Sequence, residues 1–513
     1  MITRRTLLAS ASAGLALPAW AAPARPLTVG VADLPATLEP GRELSNVGTR
    51  ITYSMFDTLI RRDFLSDPGG GGAALVPGLA QSWSRNANGG LDVKLRGGVR
   101  FHNGDELTAD DVAFSFSPER MTGPNAYLPE GRAYFGVLSS VEALDPLTVR
   151  FNARSHDPLL EQRLASWASW IINKKDWQAK ASAGTVRDPI GTGPYKLMEY
   201  RADQRIVLEA FQPYFGGAPV APRVTFRKVP EPAARLAGLV SGEFDVITNV
   251  EPDQVTDIGR YPGIEARTVV LANVHVLVYN TMNPVLRDKR VRQALNLAID
   301  RELLVKALWN GKAEVPRGHQ FPEFGPLYEP ARKPMAFDPD KARALLKQAG
   351  YKGETITYAT QGNYYTNATP AAQAIIEMWD AAGIKGEIQL TENVDRVPLD
   401  KLMVRNWSNS TRYPDPIGAI WIGWGPDGNT QKVWKTWPAA PARFNELGRS
   451  LEASTDPAAR KAAFQDMLDI WEDEAPGTIL YQPVEAYGLR KDVRWQPYTF
   501  YYMDLRNYNF AFA

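Results

Sequence analysis

The stretch Phe101-His102-Asn103-Gly104-Asp105-Glu106-Leu107-Thr108-Ala109-Asp110-Asp111-Val112 reads as a tight turn that runs straight into a helix. Asn103-Gly104 is the dipeptide such a turn favours, because both residues tolerate positive φ. Thr108 and Asp111 have the spacing of a capping box, with Asp standing in for the usual Glu, ahead of the apolar run Val112-Ala113-Phe114. His102, Asp105, Asp110 and Asp111 fall within ten residues and have the donor types of a metal site. The turn and the cap already account for them, so neither a metal nor another cofactor is expected.

The same punctuation recurs along the chain. Residues 27–31, 91–95 and 148–151 alternate as strands do, and 51–60 reads as a helix. Asp338-Pro339 and Asp456-Pro457 each place a cap and an N1 proline before a helical run, 341–349 and 458–472, and Gly350 stands where a left-handed residue closes the first. Residues 232–240 are apolar at helical spacing, stop at Ser241-Gly242 and lead into a strand at 244–247. Val291, Ala294, Leu295 and Ala298 share one helical face, and Asp300 restarts the helix as a cap. Gly191-Thr192-Gly193-Pro194 permits unusual backbone angles before a strand at Tyr195. Helix and strand alternate throughout, which predicts an α/β, mixed α+β, architecture. No repeat of 20–50 residues is visible, which argues against a solenoid. Ser66 to Gly72 (SDPGGGG) lacks the Gly-Lys-Ser/Thr of a phosphate loop and reads as a surface loop. Residues 213–222 and 316–334, rich in Pro and Gly, read as connections running over the surface.

Location and class are bounded by the chain's start and composition. Thr3-Arg4-Arg5-Thr6-Leu7-Leu8 opens an apolar run that ends at Ala19-Trp20-Ala21, a small-x-small cleavage site, so residues 1–21 read as an export leader. The paired arginines fit the twin-arginine type, with a Sec leader as the alternative. The run is too short to span a bilayer, and no cysteine follows it to take a lipid. A soluble, periplasmic protein is expected. Removing residues 1–21 takes away two arginines and no acid, so the formal charge passes from +1 to −1. That balance gives no electrostatic footprint for nucleic acid or an anionic membrane. The remaining ~490 residues predict about three units of ~150 residues, and a 44% apolar content can fill their cores. Zero cysteines exclude disulfides, thiol catalysis and thiolate metal sites.

Four motifs in order carry a resemblance: FHNGDELTADDV at 101–112, Gly191-Thr192-Gly193-Pro194-Tyr195, Gly242-Glu243-Phe244-Asp245, and Val291-Arg292-Gln293-Ala294-Leu295 through Ile299-Asp300-Arg301. The chain resembles the family 5 extracellular solute-binding proteins, the peptide, opine and nickel-chelate receptors of ABC importers. The resemblance implies a two-lobed periplasmic binding clamp with an extra inserted domain: lobe I from 26–58, 187–274 and 488–513, the insertion at 59–186, and lobe II at 275–487. It further implies a small-molecule or short-peptide ligand, an inner-membrane ABC permease as partner, and a monomer that captures solute by closing. Hinges are expected near Asp188-Pro189-Ile190 and Val278-Tyr279-Asn280.

Ligand contacts in such a clamp come from loops facing the cleft. Five of the fourteen tryptophans fall between 407 and 437, in a polar, Gly-rich segment, and Trp407 and Trp424 are the expected cleft residues, with core burial as the alternative. Peptide-binding members of the family hold the peptide ammonium with an aspartate shortly before an Asp-Pro step. Here the step is Asp415-Pro416, and Arg412 stands in the aspartate's place, which points to an anionic group on the solute. Asp415 itself is the alternative ammonium partner, and an ion pair between Arg412 and Asp415 the structural one. The family's other cleft loops correspond to Ser45-Asn46-Val47, before the first helix, and to Asn363-Tyr364-Tyr365-Thr366-Asn367, before a helix at 371–381. Tyr364 and Tyr365 join an apolar ring to a hydroxyl, as variable, hydrated ligands require. Catalysis has little to stand on. None of the four histidines has an i, i+4 partner, and no Gly-x-Ser-x-Gly elbow occurs. A hydrolase, and a ligand sensor or chaperone on the same fold, are the competing readings.

Overall fold

The computed structural model describes residues 24–513 except 88, 183–186 and 363. The expected leader and Asn363 therefore lie outside the described residues. Among the described residues no helix is long and apolar enough to cross a membrane.

Three sheets organise the chain. A seven-stranded sheet has the spatial order Ile264–Val270, Val484–Arg490, Val246–Ile247, Leu27–Val31, Arg223–Lys228, Arg205–Ala210 and Tyr195–Arg201. Its centre is Leu27–Val31, parallel to both neighbours, with Leu27, Val29 and Val31 fully buried. A five-stranded sheet follows the order Gly386–Leu390, Ile356–Thr360, Val404–Ser410, Asn273–Tyr279 and Gly477–Tyr481. A four-stranded antiparallel sheet, Ala80–Arg85, Leu91–Leu95, Thr148–Ala153 and Leu138–Asp145, forms the third unit.

The strand Asn273–Tyr279 shows how the second sheet is held. Its side chains alternate with period two: Val274, Val276 and Val278 join a large core shared with the other two sheets. Leu277 and Tyr279 join a second core formed with the helices Lys289–Leu297, Arg301–Trp309, Pro339–Ala349 and Ala368–Ala381. Val278-Tyr279-Asn280, expected as a hinge, lies at the buried C-terminal end of this strand and not at a crossing between the sheets. The chain passes between the two large sheets at 271–272 and again at 482–483, where Leu271 N donates to Pro483 O at 3.0 Å. Val484–Arg490 pairs within the seven-stranded sheet from its first residue, so the expected crossing at 487/488 falls inside a strand.

Local signals are realised where partners are near in sequence. Thr108 N and Oγ1 both donate to Asp111 Oδ2, at 3.0 and 2.8 Å. Asp338 accepts from Lys341 N at 2.9 Å, Asp456 from Ala458 N at 3.0 Å, and Gly350 closes its helix at φ 72°. The expected helix at 51–60 is displaced. It runs Asn46–Thr52, and Ile60–Asp63 is a strand. The carbonyls of Ser54 and Met55, which a longer helix would use, accept instead from Tyr195 N at 3.0 Å and Gly193 N at 2.9 Å. This contact also corrects the reading of Gly191 and Gly193. Their φ values are not positive; a Cβ on either would meet the Met55 backbone, at 2.1 Å and 2.4 Å, so they are glycines for close approach. His102 completes the junction, its ring nitrogen 3.0 Å from Gly193 O, and its pKa is pushed down to about 4 by the surrounding protein. Among the described residues no His, Cys, Asp and Glu cluster of metal-binding geometry occurs. The segment 316–334 is not superficial: His319, Phe321, Phe324 and Leu327 are buried, with Phe324 against Phe464 and His319 against Trp471.

Candidate functional site

The two large sheets face one another across a narrow crevice of about 20 Å³, room for about one water molecule. One wall starts at Ser45, which caps the helix Asn46–Thr52 by accepting from Gly48 N at 3.0 Å. Ser45, Asn46 and Val47 therefore open the helix rather than precede it. The first turn puts Asn46 and Val47 on the crevice, and Arg50, one turn further, follows them. Arg50 Nη2 lies 3.2 Å from Glu485 Oε1, with both side chains 4% exposed. Its Nη1 donates to Thr248 Oγ1 and Asn249 Oδ1, at 3.2 and 3.3 Å, and Asn249 N donates to Glu485 at 3.2 Å. Burial raises the Glu485 pKa above the ordinary carboxylate range, with Arg50 opposing that shift. Arg50 Nε has no protein partner.

The opposite wall belongs to the five-stranded sheet and its helices. His275, Trp309, Tyr364 and Tyr365 line it. The His275 ring lies against Tyr365 and Tyr481, centroids 4.7 and 5.3 Å apart, and burial pushes its pKa down to about 3. It is neutral at any physiological pH, and its Nε2 has no protein partner. Two hydrogen bonds cross the crevice: Asn46 N donates to Tyr364 Oη at 3.3 Å, and Asn46 Nδ2 to Ser408 Oγ at 3.0 Å. Behind this edge, Glu43 accepts from Ser45 N at 2.8 Å and from the Ser45 hydroxyl. Burial, aided by Asp33, pushes the Glu43 pKa up to about 7 against these hydrogen bonds.

The structure thus gathers Asn46, Val47, Tyr364 and Tyr365, with Ser45 immediately behind them, and separates the remaining expected residues. Trp424 is fully buried among Trp407, Trp437, Trp471 and His319, so its expected cleft role is corrected to core packing. Trp407 is half-buried, edge-on to Trp434 at 5.0 Å, and does not line the crevice. Arg412 is buried too. Its Nε donates to Tyr134 Oη at 3.2 Å, its Nη1 to Ser410 O, and its guanidinium sits 4.9 Å over the Trp167 ring. Asp415 pairs with Arg460 at 2.9 Å and caps Ile417 N at 2.9 Å. Both are tied into structure, and the expected anion clamp and ammonium partner are corrected accordingly. Sequence reasoning missed Arg50, Glu485, His275 and Trp309. Arg50 could have been found four residues after Asn46 had the helix start been read at Ser45. Glu485 stands as the lone acid in the strand VEAYGLR, whose only other charged residue is the terminal Arg490.

Two lobes built on separate sheets, joined by paired crossings and closed on a polar crevice, define a clamp-type solute-binding protein. Residues 74–431 match the model of the bacterial extracellular solute-binding proteins, family 5 (middle region), and the chain belongs to that family. It is 28% identical over 455 residues to the dipeptide-binding protein of Escherichia coli K12, covering 83% of this chain and 84% of that protein. Among solved structures, the dipeptide-binding protein from Pseudoalteromonas sp. SM9913 in complex with Met-Leu aligns with a TM-score of 0.87 at 20% identity, over 95% of this chain and all of that one. The ABC transporter-associated periplasmic binding protein DppA of Helicobacter pylori in complex with the peptide STSA aligns with a TM-score of 0.85 at 23% identity, over 95% and 98%.

Proposed function

We propose that this protein is the periplasmic receptor of an ABC importer and captures a short peptide or peptide-like solute between its lobes. Lobe I carries the seven-stranded sheet, lobe II the five-stranded sheet between the crossings at 271–272 and 482–483, and residues 59–186 form the inserted domain. The observation that carries the reading is the crevice, where a buried cation and a buried anion, Arg50 and Glu485, stand side by side. A zwitterionic peptide offers one charge of each sign to such a pair. Relatives named for dipeptides, alike over more than four-fifths of the chain, support the same class. An opine-like solute fits the same class, but Arg412, engaged with Tyr134 and Trp167, is not its anion contact, which would fall to Arg50.

Capture works by closure. The open state exposes two half-sites, and a solute touching both favours the closed state by its differential affinity. The closed form is then read by an inner-membrane permease. The role is binding without catalysis, exercised by a monomer after export through a cleaved twin-arginine leader. Native mass spectrometry of the mature protein from its own export compartment tests this. A co-purified molecule with a peptide mass, replaceable by di- to pentapeptides in calorimetry, is expected. A bound non-peptide of defined mass, with no binding of any such peptide, would overturn the reading.

A further inference from the structure

A second and much larger cavity, about 490 Å³, lies in the seam between the inserted domain and lobe II, away from the crevice. Arg132, Arg154 and His156 line it from the inserted domain, and Trp421, Asp427 and Arg449 from lobe II. Its volume is that of a small-molecule site. Three arginines and three carboxylates face it, but the carboxylates are already paired. Asp157 and Glu452 also line the cavity, but both carboxylates pair with the fully buried Arg163, at 2.9 and 2.5 Å. Asp427 pairs with Arg132 at 3.3 Å and with Lys432 at 3.0 Å. Every carboxylate on the lining is thus engaged. Arg154 donates only to the carbonyl of Gly136, at 3.2 Å, and among the described residues no carboxylate pairs with Arg154, His156 or Arg449. Two guanidinium groups from different domains, neither paired with a carboxylate, fit a compact molecule carrying two or more anionic oxygens.

We propose that this cavity is a second binding site, for a compact polyanion of the carboxylate or phosphate class, with Arg154 and Arg449 as its two principal contacts. The Asp157–Arg163–Glu452 triad fixes the cavity's shape, because its buried members hold inserted domain and lobe II together irrespective of what enters. Trp421 supplies the one large apolar surface on the lining. The site is independent of the peptide crevice, so its occupancy adds a ligand that the solute-binding reading does not contain.

The test is calorimetric titration of the mature protein with citrate and, separately, with pyrophosphate, in 150 mM sodium chloride to screen exposed charge. Saturable binding of one of them, one molecule per chain, is expected, and the arm that binds tells carboxylate from phosphate. The Arg154→Ala/Arg449→Ala protein should bind that anion at least tenfold more weakly. Both side chains lie on exposed residues, so its melting temperature without anion and its affinity for the co-purified solute should match wild type. Arg154→Lys/Arg449→Lys keeps the charge without the fork and should fall between. Saturation by neither anion, or wild-type affinity in the double alanine variant, would overturn the proposal, and neither result bears on peptide capture.

Discussion

Arg412→Ala separates a ligand contact from a structural one. Arg412 leaves the end of the strand Val404–Ser410 in lobe II and reaches the inserted domain, donating to Tyr134 Oη at 3.2 Å and lying 4.9 Å over Trp167. A hydrogen bond from a charged donor contributes about 1.5–3 kcal/mol, and a desolvated cation–π contact about 2 kcal/mol. The two share one guanidinium and do not add fully, so the expected loss of stability is about 3–4 kcal/mol. The variant also leaves the Ser410 carbonyl without this donor. Glu130, a partly buried acid whose pKa is already raised by desolvation and held back in part by Arg412, moves further up. Urea unfolding followed by circular dichroism reads the stability change. Arg412→Lys, which keeps a charge near Trp167 but not the planar fork, should recover part of it. Solute affinity, measured where both proteins are folded, should change by less than about threefold. A stability change under about 0.5 kcal/mol together with a tenfold loss of affinity for an acidic solute would refute this account and restore Arg412 as an anion clamp.

Gly193→Ala places a Cβ 2.4 Å from the Met55 carbonyl carbon, in backbone that cannot yield, and should cost about 3 kcal/mol in the same urea assay; a cost under 1 kcal/mol would refute the close-approach reading. Glu43 titrates at about 7 in the fold against an ordinary 4.5, so the folded state holds its proton more tightly and the contribution of Glu43 to stability is lost as pH rises through that window. Glu43→Gln should therefore match wild type near pH 4 and be more stable by about 3 kcal/mol at pH 8, and parallel pH profiles for the two proteins would sink the assignment. Arg4→Lys with Arg5→Lys should trap precursor in the cytoplasm if the leader is of the twin-arginine type; unchanged export in a fractionation blot would point to the Sec route.

What the sequence disclosed depended on how far apart the partners are. Caps such as Thr108 with Asp111, and Asp338 with Lys341, were legible because donor and acceptor sit three residues apart. The helix ending at Thr52 was misread because the groups that capture its next carbonyls, the N–H of Gly193 and of Tyr195, lie about 140 residues downstream. Asn46, Val47, Tyr364 and Tyr365, expected from loop position within a family likeness, line the crevice. Arg50 and Glu485 were not, since no local pattern announces a pair 435 residues apart. The tryptophan-rich segment misled for a different reason. Its glycines suggested an open cleft, yet they are what lets the rings pack: a Cβ on Gly425 would stand 2.8 Å from the Trp421 ring, and one on Gly423 would stand 2.7 Å from Trp407. Glycine beside tryptophan marked close packing here.

The closed crevice also constrains where selectivity can reside. On the proposed reading, a solute entering it breaks the bonds from Asn46 to Tyr364 and Ser408, then re-forms equivalent ones with its own amides and carbonyls. Such an exchange is near neutral, because each neutral hydrogen bond contributes only about 1 kcal/mol net and one is given up for every one made. Arg50 Nε and His275 Nε2 have no protein partner to give up. Satisfying a buried unpaired group recovers about 1–3 kcal/mol, so the balance between rival solutes turns on which of them reaches these two nitrogens. Both atoms have fixed chemistry at neutral pH. Arg50 Nε is a donor, and the neutral His275 ring, its pKa near 3, can present Nε2 as donor or acceptor by tautomer. A solute with a carbonyl or carboxylate oxygen placed for Arg50 is therefore favoured over one that offers a donor there. His275 tolerates either at that end of the crevice, which suits the proposed peptide solutes, alike in backbone and different in side chain.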